Sequence, residues 1–248
     1  MIKDFRQEFY KFRDKLANNE SFALSRANDG EAMILFNESL NLLNKCNGEF
    51  CYESNNPNHT IYRQKLLNST QYKGDNYYVG IGCRCKTCMG DERHERLKSI
   101  VNQDETMLTY GNLMVNSNYP YFVKEYLPLF NNYNVIMIVN EKAKLDKLPM
   151  SNKIIKDFRV GTNSWMTNTD LETIIPNYIE ENNINNSLFL FCAGPFSNIL
   201  IMECYKTNPN NTYLDCGSTL DPYLFDDWKG RTRGYLNNGF TLQQYCIW

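Results

Sequence analysis

The chain predicts an α/β fold, Rossmann-like, with a mainly parallel sheet and helices on both faces. Three observations carry this. Residues 135–139 and 188–192 are continuous apolar runs, the pattern of strands buried on both faces of a parallel sheet. Segments with helical spacing of apolar residues lie between such runs, so strand and helix alternate along the chain. The connections are short, and no stretch rich in Pro, Gly or Ser divides the 248 residues. They read as one domain, with an aromatic tail from about residue 222 wrapped around it.

The elements follow in order. Phe5, Phe9, Phe12 and Leu16, spaced by four, three and four, form one face of an amphipathic helix. A short strand over 22–25 leads into the polar turn Arg26-Ala27-Asn28-Asp29-Gly30. A helix is expected from about 31 to 44, burying Met33, Phe36, Leu40 and Leu43. Residues 47–76 are polar, with one short helix legible around 61–67. A strand over 77–82 runs into Cys83-Arg84-Cys85-Lys86-Thr87-Cys88, followed by a charged helix over 91–101 and a strand over 107–110. The loop 111–118 precedes an aromatic helix over 119–130.

In the second half, strands are expected at 135–139 and 158–161. Thr169-Asp170-Leu171-Glu172 reads as a capping box opening a helix to about 182. Strand 188–192, helix 197–205 and strand 212–216 complete the alternation. Asparagine pairs such as Asn18-Asn19, Asn55-Asn56 and Asn182-Asn183 read as composition rather than chemistry.

Composition narrows the function classes. Hydrophobic residues at 42% and aromatics at 14% supply a packed core, and charged residues at 22% with a net charge of −2 exclude a disordered chain. The same charge excludes a general nucleic-acid binder, which carries a basic excess. The apolar runs are too short for a transmembrane segment. The charged start, Met1-Ile2-Lys3-Asp4, shows no signal peptide. Nine cysteines, an odd number, favour reduced thiols and a cytoplasmic location.

Two strand–loop–helix junctions can carry chemistry, because ligands of open α/β sheets bind beyond the carboxyl ends of the strands. At the first, Asp29 and Glu31 offer hard oxygen ligands for Mg²⁺ or Mn²⁺. There Gly30 admits a diphosphate, and Arg26 offers a guanidinium fork to phosphate oxygens. The alternative is a plain helix start, with Asn28 as N-cap and Glu31 as its reciprocal partner. The second junction, Cys192-Ala193-Gly194-Pro195-Phe196-Ser197, presents Gly194, Pro195 and Ser197 at a helix N-terminus suited to an anion. Its other reading is an ordinary strand-to-helix turn. Asp215 ends the next strand, where Rossmann folds place a ribose- or base-reading acid.

Ser25-Arg26-Ala27-Asn28-Asp29-Gly30-Glu31 resembles the arginine-led Asp-Gly-Glu motif of glycosyltransferases with the GT-D fold. The later blocks Cys192-Ala193-Gly194-Pro195-Phe196-Ser197 and Tyr213-Leu214-Asp215-Cys216-Gly217-Ser218 resemble the same family, in the same order. The resemblance implies a metal-dependent transferase with Asp29 and Glu31 at Mn²⁺ or Mg²⁺. It further implies a UDP- or GDP-sugar as donor and a hydroxyl of a glycan or other acceptor as nucleophile. Asp215, Asp221 and Glu31 are the candidate general bases. The middle of the chain, with residues 47–76 and the Cys83–Cys88 segment, departs from the family pattern. A Rossmann-like methyltransferase and a non-catalytic nucleotide- or glycan-binding module remain the competing functions.

Three further features stand out. Arg231 and Arg233 in the tail can clamp a diphosphate or simply pack the tail. The loop Asn116-Ser117-Asn118-Tyr119-Pro120-Tyr121 can face a sugar or feed the core. Cys83, Cys85 and Cys88 can ligate zinc, with Cys46, Cys51, His59 or His94 completing the set. Without a second Cys-x-x-Cys pair, reduced thiols are the favoured reading.

Overall fold

A computed structural model describes residues 3–43, 50–86, 88–115, 118–226 and 248. Helix α1 (Phe5–Ala17) starts where the Asp4 carboxylate accepts from Gln7 N at 2.8 Å. It buries Phe5, Phe9, Phe12 and Leu16, the stripe read from the sequence. Each such side chain taken fully from water contributes about 1.5–3 kcal/mol before entropy is deducted. The chain continues through β1 (Ala23–Ala27), α2 (Asp29–Leu35), β2 (Leu40–Asn41), β3 (Cys51–Tyr52) and α3 (Pro57–Gln71). Then come β4 (Tyr77–Ile81), α4 (Asp91–Val101), β5 (Leu108–Tyr110), α5 (Tyr119–Glu125) and a 3₁₀ turn (Leu127–Asn132). The second half holds β6 (Val135–Asn140), β7 (Ile154–Val160), α6 (Ser164–Thr167), α7 (Leu171–Glu181), β8 (Leu188–Phe191), α8 (Pro195–Thr207), β9 (Thr212–Asp215) and α9 (Asp221–Leu224).

Seven strands form one sheet in the order β5-β4-β1-β9-β8-β6-β7, and every pairing in it is parallel. The fold is therefore α/β with a parallel sheet, as the alternation implied. All residues of β1, β4, β8 and β9 are buried, which is why those strands read as unbroken runs. One face carries α1, which packs on β5 and on the 3₁₀ turn, with Phe9 and Tyr126, between α5 and that turn, at ring centroids 4.9 Å apart. On the other face α8 lies along β1 and β9 and packs on α3 and α7. No helix among the described residues is long and apolar enough to cross a membrane.

Several expected elements differ. The helix begun at Asp29 stops at Leu35 instead of running to 44, because Asn37 adopts a left-handed φ of 61°. Asn37 N then bonds Ile34 O at 2.9 Å and Glu38 N bonds Met33 O at 2.8 Å, a closed helix terminus. Leu40 belongs to the antiparallel β2–β3 pair, and Met33 is only half-buried. Helix α3 is longer than its apolar spacing suggests, opening with Asn56 as N-cap and Pro57 at its first position. The aromatic helix ends at Glu125 and tightens into the 3₁₀ turn, since Pro128 has no N–H to continue it. The predicted capping box at Thr169 does not form. Glu172 instead bonds Lys65 Nζ through both oxygens, at 2.7 and 2.8 Å, tying α7 to α3.

Among the described residues, every non-glycine with positive φ is an asparagine: Asn19, Asn37, Asn102, Asn163, Asn183 and Asn186. The quoted pairs Asn18-Asn19 and Asn182-Asn183 each close a helix, and Asn56 opens one, so these asparagines have a structural role after all. In the tail region, Asp226 pairs with Lys144 and Lys147. Trp248 packs its ring on Tyr110 and His94, both at 5.2 Å.

Candidate functional site

Because all seven strands run the same way, their carboxyl ends share one side of the sheet. The ends of β4, β1, β9 and β8 are neighbours there and bring together most of the residues singled out above. Arg26, on β1, is 5% exposed. Its Nη2 donates to Asp215 Oδ1 at 3.1 Å on β9, and its Nη1 donates to Gly111 O at 3.3 Å, after β5. One guanidinium thus links three strand ends. Burial opposes its charge, but Asp215 outweighs that and raises its pKa. The Asp215 carboxyl is pushed up by its own burial, against the pull of Arg26 and of Gly217 N–H, which it accepts at 2.9 Å.

Gly217 sits at φ 50°, and a Cβ there would lie 2.2 Å from Arg26 Nη2, so the pair requires a glycine. The geometry therefore turns Arg26 and Asp215 toward each other. The sequence suggested a phosphate fork and a ribose reader. In the structure the two side chains bond each other at 3.1 Å, with Arg26 also reaching Gly111 O.

Beyond β1, Asn28 precedes α2 and donates through Nδ2 to Gly111 O at 3.2 Å. Glu31 Oε2 accepts from Asn28 N at 3.1 Å, so the reciprocal contact expected of a helix start is present. Asp29 is exposed and Glu31 half-buried. The Glu31 carboxyl is lifted from the ordinary 4.5 to about 7, first by burial, then by the negative charges of Asp215 and Asp29. Capping and ligand binding are compatible, since the cap engages one Glu31 oxygen. Among the described residues no third acid converges with Asp29 and Glu31 into a closed cage.

The β8 junction is a strained turn. Gly194 has φ 58° and ψ −140°, a region in which L side chains are rarely found. Ser197 is fully buried, and its Oγ accepts from Ala193 N at 3.0 Å. Pro195 is buried at the first position of α8. Ser197 and Pro195 thus build the turn from within.

The residue that sequence reasoning missed is Phe50. A Cβ on Gly30 would meet its ring at 2.9 Å, and one on Gly194 at 3.2 Å, so a single ring rests on both glycine turns. Phe50 arrives from the β2–β3 pair, where Leu42 N bonds its carbonyl at 2.9 Å. Its ring lies 6.3 Å from that of Trp165. Asn163 braces this cover, its Oδ1 accepting from Cys51 N at 3.1 Å and from Trp165 Nε1 at 2.9 Å. No sequence signal pointed there, because the polar stretch around Phe50 carries no legible periodicity.

Of the remaining candidates, Arg231 and Arg233 lie outside the described residues, as do Cys46, Asn116 and Ser117. Asn118 is buried and donates to Asn112 O at 3.0 Å, and Tyr119 is buried too, so these two side chains feed the core. Cys51 is held by Asn163 Nδ2 at 3.6 Å and His59 Nδ1 accepts from Glu53 N at 2.7 Å.

By sequence, neither a protein-family profile nor a curated protein matches the chain. By structure, it is similar to two solved structures of the domain of unknown function 1792, one described as having a distinct glycosyltransferase fold. Each has a TM-score of 0.58 and is covered over 93% of its length by 96% of this chain, at 13% and 14% identity. The likeness extends over nearly the whole chain and establishes a glycosyltransferase-like fold.

Proposed function

We propose that the protein is a metal-dependent glycosyltransferase that moves a sugar from a UDP- or GDP-sugar to a hydroxyl of a glycan or other acceptor. One observation carries the reading. Asp29 and Glu31 stand together beyond the carboxyl end of β1, an inner strand of the sheet, and the Glu31 carboxyl is driven up to about 7 by burial and by neighbouring negative charge. Such a site is under electrostatic stress that a divalent cation relieves, and hard oxygen donors suit Mn²⁺ or Mg²⁺. Two protein carboxylates and a diphosphate match the way these ions are held. When bound, the cation offsets the charge that develops on the departing nucleotide.

The chain's own groups do the rest. Arg26, fixed by Asp215 and Gly111, holds the ends of β1, β9 and β5 in one arrangement, so that Asp29 and Glu31 keep their places. The glycine turns keep the backbone low enough for a diphosphate, and Phe50 keeps both turns covered until a donor displaces or stacks on its ring. Asp221, Glu31 and Asp215, whose Oδ1 already accepts from Arg26 and Gly217, are the candidates to accept the acceptor's proton.

Asp29→Asn tests this. Asp29 is exposed and follows the N-cap, so the variant keeps its fold. Nucleotide-sugars with Mn²⁺ raise the thermal midpoint of the wild type and not of the variant, and transfer falls at least about a hundredfold. Equal metal-dependent stabilisation and equal turnover in both proteins would remove the site from the chemistry.

A further inference from the structure

We propose that Cys83, Cys85 and Cys88 bind one Zn²⁺ through their thiolates at the carboxyl end of β4. The proposal is independent of the sugar-transfer reading. The three sulfurs lie within 4.8 Å of one another, with Cys83 and Cys85 buried and Cys88 exposed, and none is in a disulfide. Two thiolates on one tetrahedral zinc, each about 2.3 Å from it, stand roughly 3.8 Å apart. The closest pair here, Cys83 Sγ and Cys85 Sγ, is 2.9 Å apart, so movements of about an ångström seat the ion.

The loop is folded to present them together. Cys85 O accepts from Cys88 N at 3.0 Å and from Gly90 N at 3.1 Å, and Cys83 O accepts from Met89 N at 3.3 Å. These bonds turn the backbone back on itself, which is how three cysteines in six residues reach one point. A second observation comes from the turn after β5. Asn112 Nδ2 lies 3.8 Å from both Cys83 Sγ and Cys88 Sγ, placing an amide donor on two of the three sulfurs. Outer donors of this kind orient metal-bound ligands and stabilise their charge.

An all-sulfur donor set selects a soft, tetrahedral ion of the zinc type over Mg²⁺ or Ca²⁺. As each sulfur bonds the ion its proton passes to solvent, so binding releases up to three protons and strengthens with pH. Among the described residues no His, Asp or Glu joins the cluster. The fourth position therefore falls to water or to a residue outside them. Cys51, His59 and His94, considered from the sequence as further ligands, have the partners Asn163, Glu53 and Gly82.

The site also has a structural consequence. Asn112 follows Gly111, whose carbonyl receives Arg26 and Asn28. Zinc would clamp the β4 loop to the turn that steadies the β1 junction.

The test is metal analysis of the full chain, expressed with zinc and purified reduced without chelator. The expected result is one zinc per chain that survives dialysis, and Co²⁺ replacement that gives sulfur-to-cobalt charge-transfer absorption. Cys88→Ser is the main variant because Cys88 is exposed and its loss leaves the core intact. It loses the zinc and the absorption while keeping the wild-type circular dichroism. Cys204→Ala, on α8 away from the cluster, keeps both. Zinc-free reduced protein that takes up no metal on titration overturns the proposal, and so does zinc held undiminished by Cys88→Ser.

Discussion

Replacing Glu31 by glutamine should make the ligand-free protein more stable at alkaline pH while removing its response to metal. In the folded chain the Glu31 carboxyl stands at about 7, against an ordinary 4.5, with burial as the first cause and Asp215 and Asp29 next. Because the folded value is the higher one, the unfolded chain releases this proton first as pH rises. The carboxyl contributes nothing below about pH 4, where both states are protonated, and it lowers stability progressively up to about pH 7. Above that the full penalty applies, on the order of 3 kcal/mol for a displacement of this size.

Glutamine keeps the shape and an oxygen able to accept from Asn28 N, so the helix start is preserved. Urea unfolding in the presence of chelator, at about pH 4 and about pH 8, reads the difference directly. The expected gain is up to about 3 kcal/mol at the higher pH and none at the lower. Equal stability at about pH 8, or a gain that persists unchanged at about pH 4, would refute the electrostatic reasoning. In the wild type, metal-dependent donor binding should strengthen as pH rises toward about 7, since the ion must displace the Glu31 proton.

Arg26→Met should destabilise the fold by about 3–5 kcal/mol, because it leaves Asp215 buried without its partner. In urea unfolding, the double variant Arg26→Met with Asp215→Leu should recover most of that loss, and failure to do so would mean that Arg26 acts through packing alone. From sequence, Gly194→Val is expected to harm nucleotide binding more than folding. Its backbone angles add a folding cost of about 1–3 kcal/mol, read as a lower thermal midpoint, and an unchanged midpoint would show that the turn relaxes.

The sheet was legible because its strands are buried on both faces, and 135–139 and 188–192 can be little else. The helix stripe of α1 was legible for the same reason: burial writes a period into the letters. What the sequence hid has no such period. Asn37 ends α2 through a backbone angle, and nothing in its neighbours announces it. The Thr169 pattern satisfied a local rule, yet Glu172 found a stronger partner in Lys65, far away in the chain. Asp29 and Glu31 could be singled out as candidates from their position after a strand, whereas the link from Arg26 to Asp215 spans 189 residues and appears only once β1 and β9 are paired. Phe50 was invisible because its role depends on two glycines distant in sequence. The convergence of Cys83, Cys85 and Cys88 needed the folded loop, since spacing alone did not separate a metal site from idle thiols.

The left-handed asparagines set a rule for how this sequence can drift. In Asn18-Asn19 and Asn182-Asn183 two identical letters live under different constraints. The first of each pair has φ of −91° and −102°, and many residues fit there. The second stands at 56° and 49°, where glycine fits freely and aspartate tolerably. A branched side chain there costs roughly 1–2 kcal/mol. A lineage whose base composition moves away from asparagine would therefore rewrite the first letter of each pair and leave the second as asparagine or glycine. Composition supplies the letters, and backbone geometry decides which of them are replaceable.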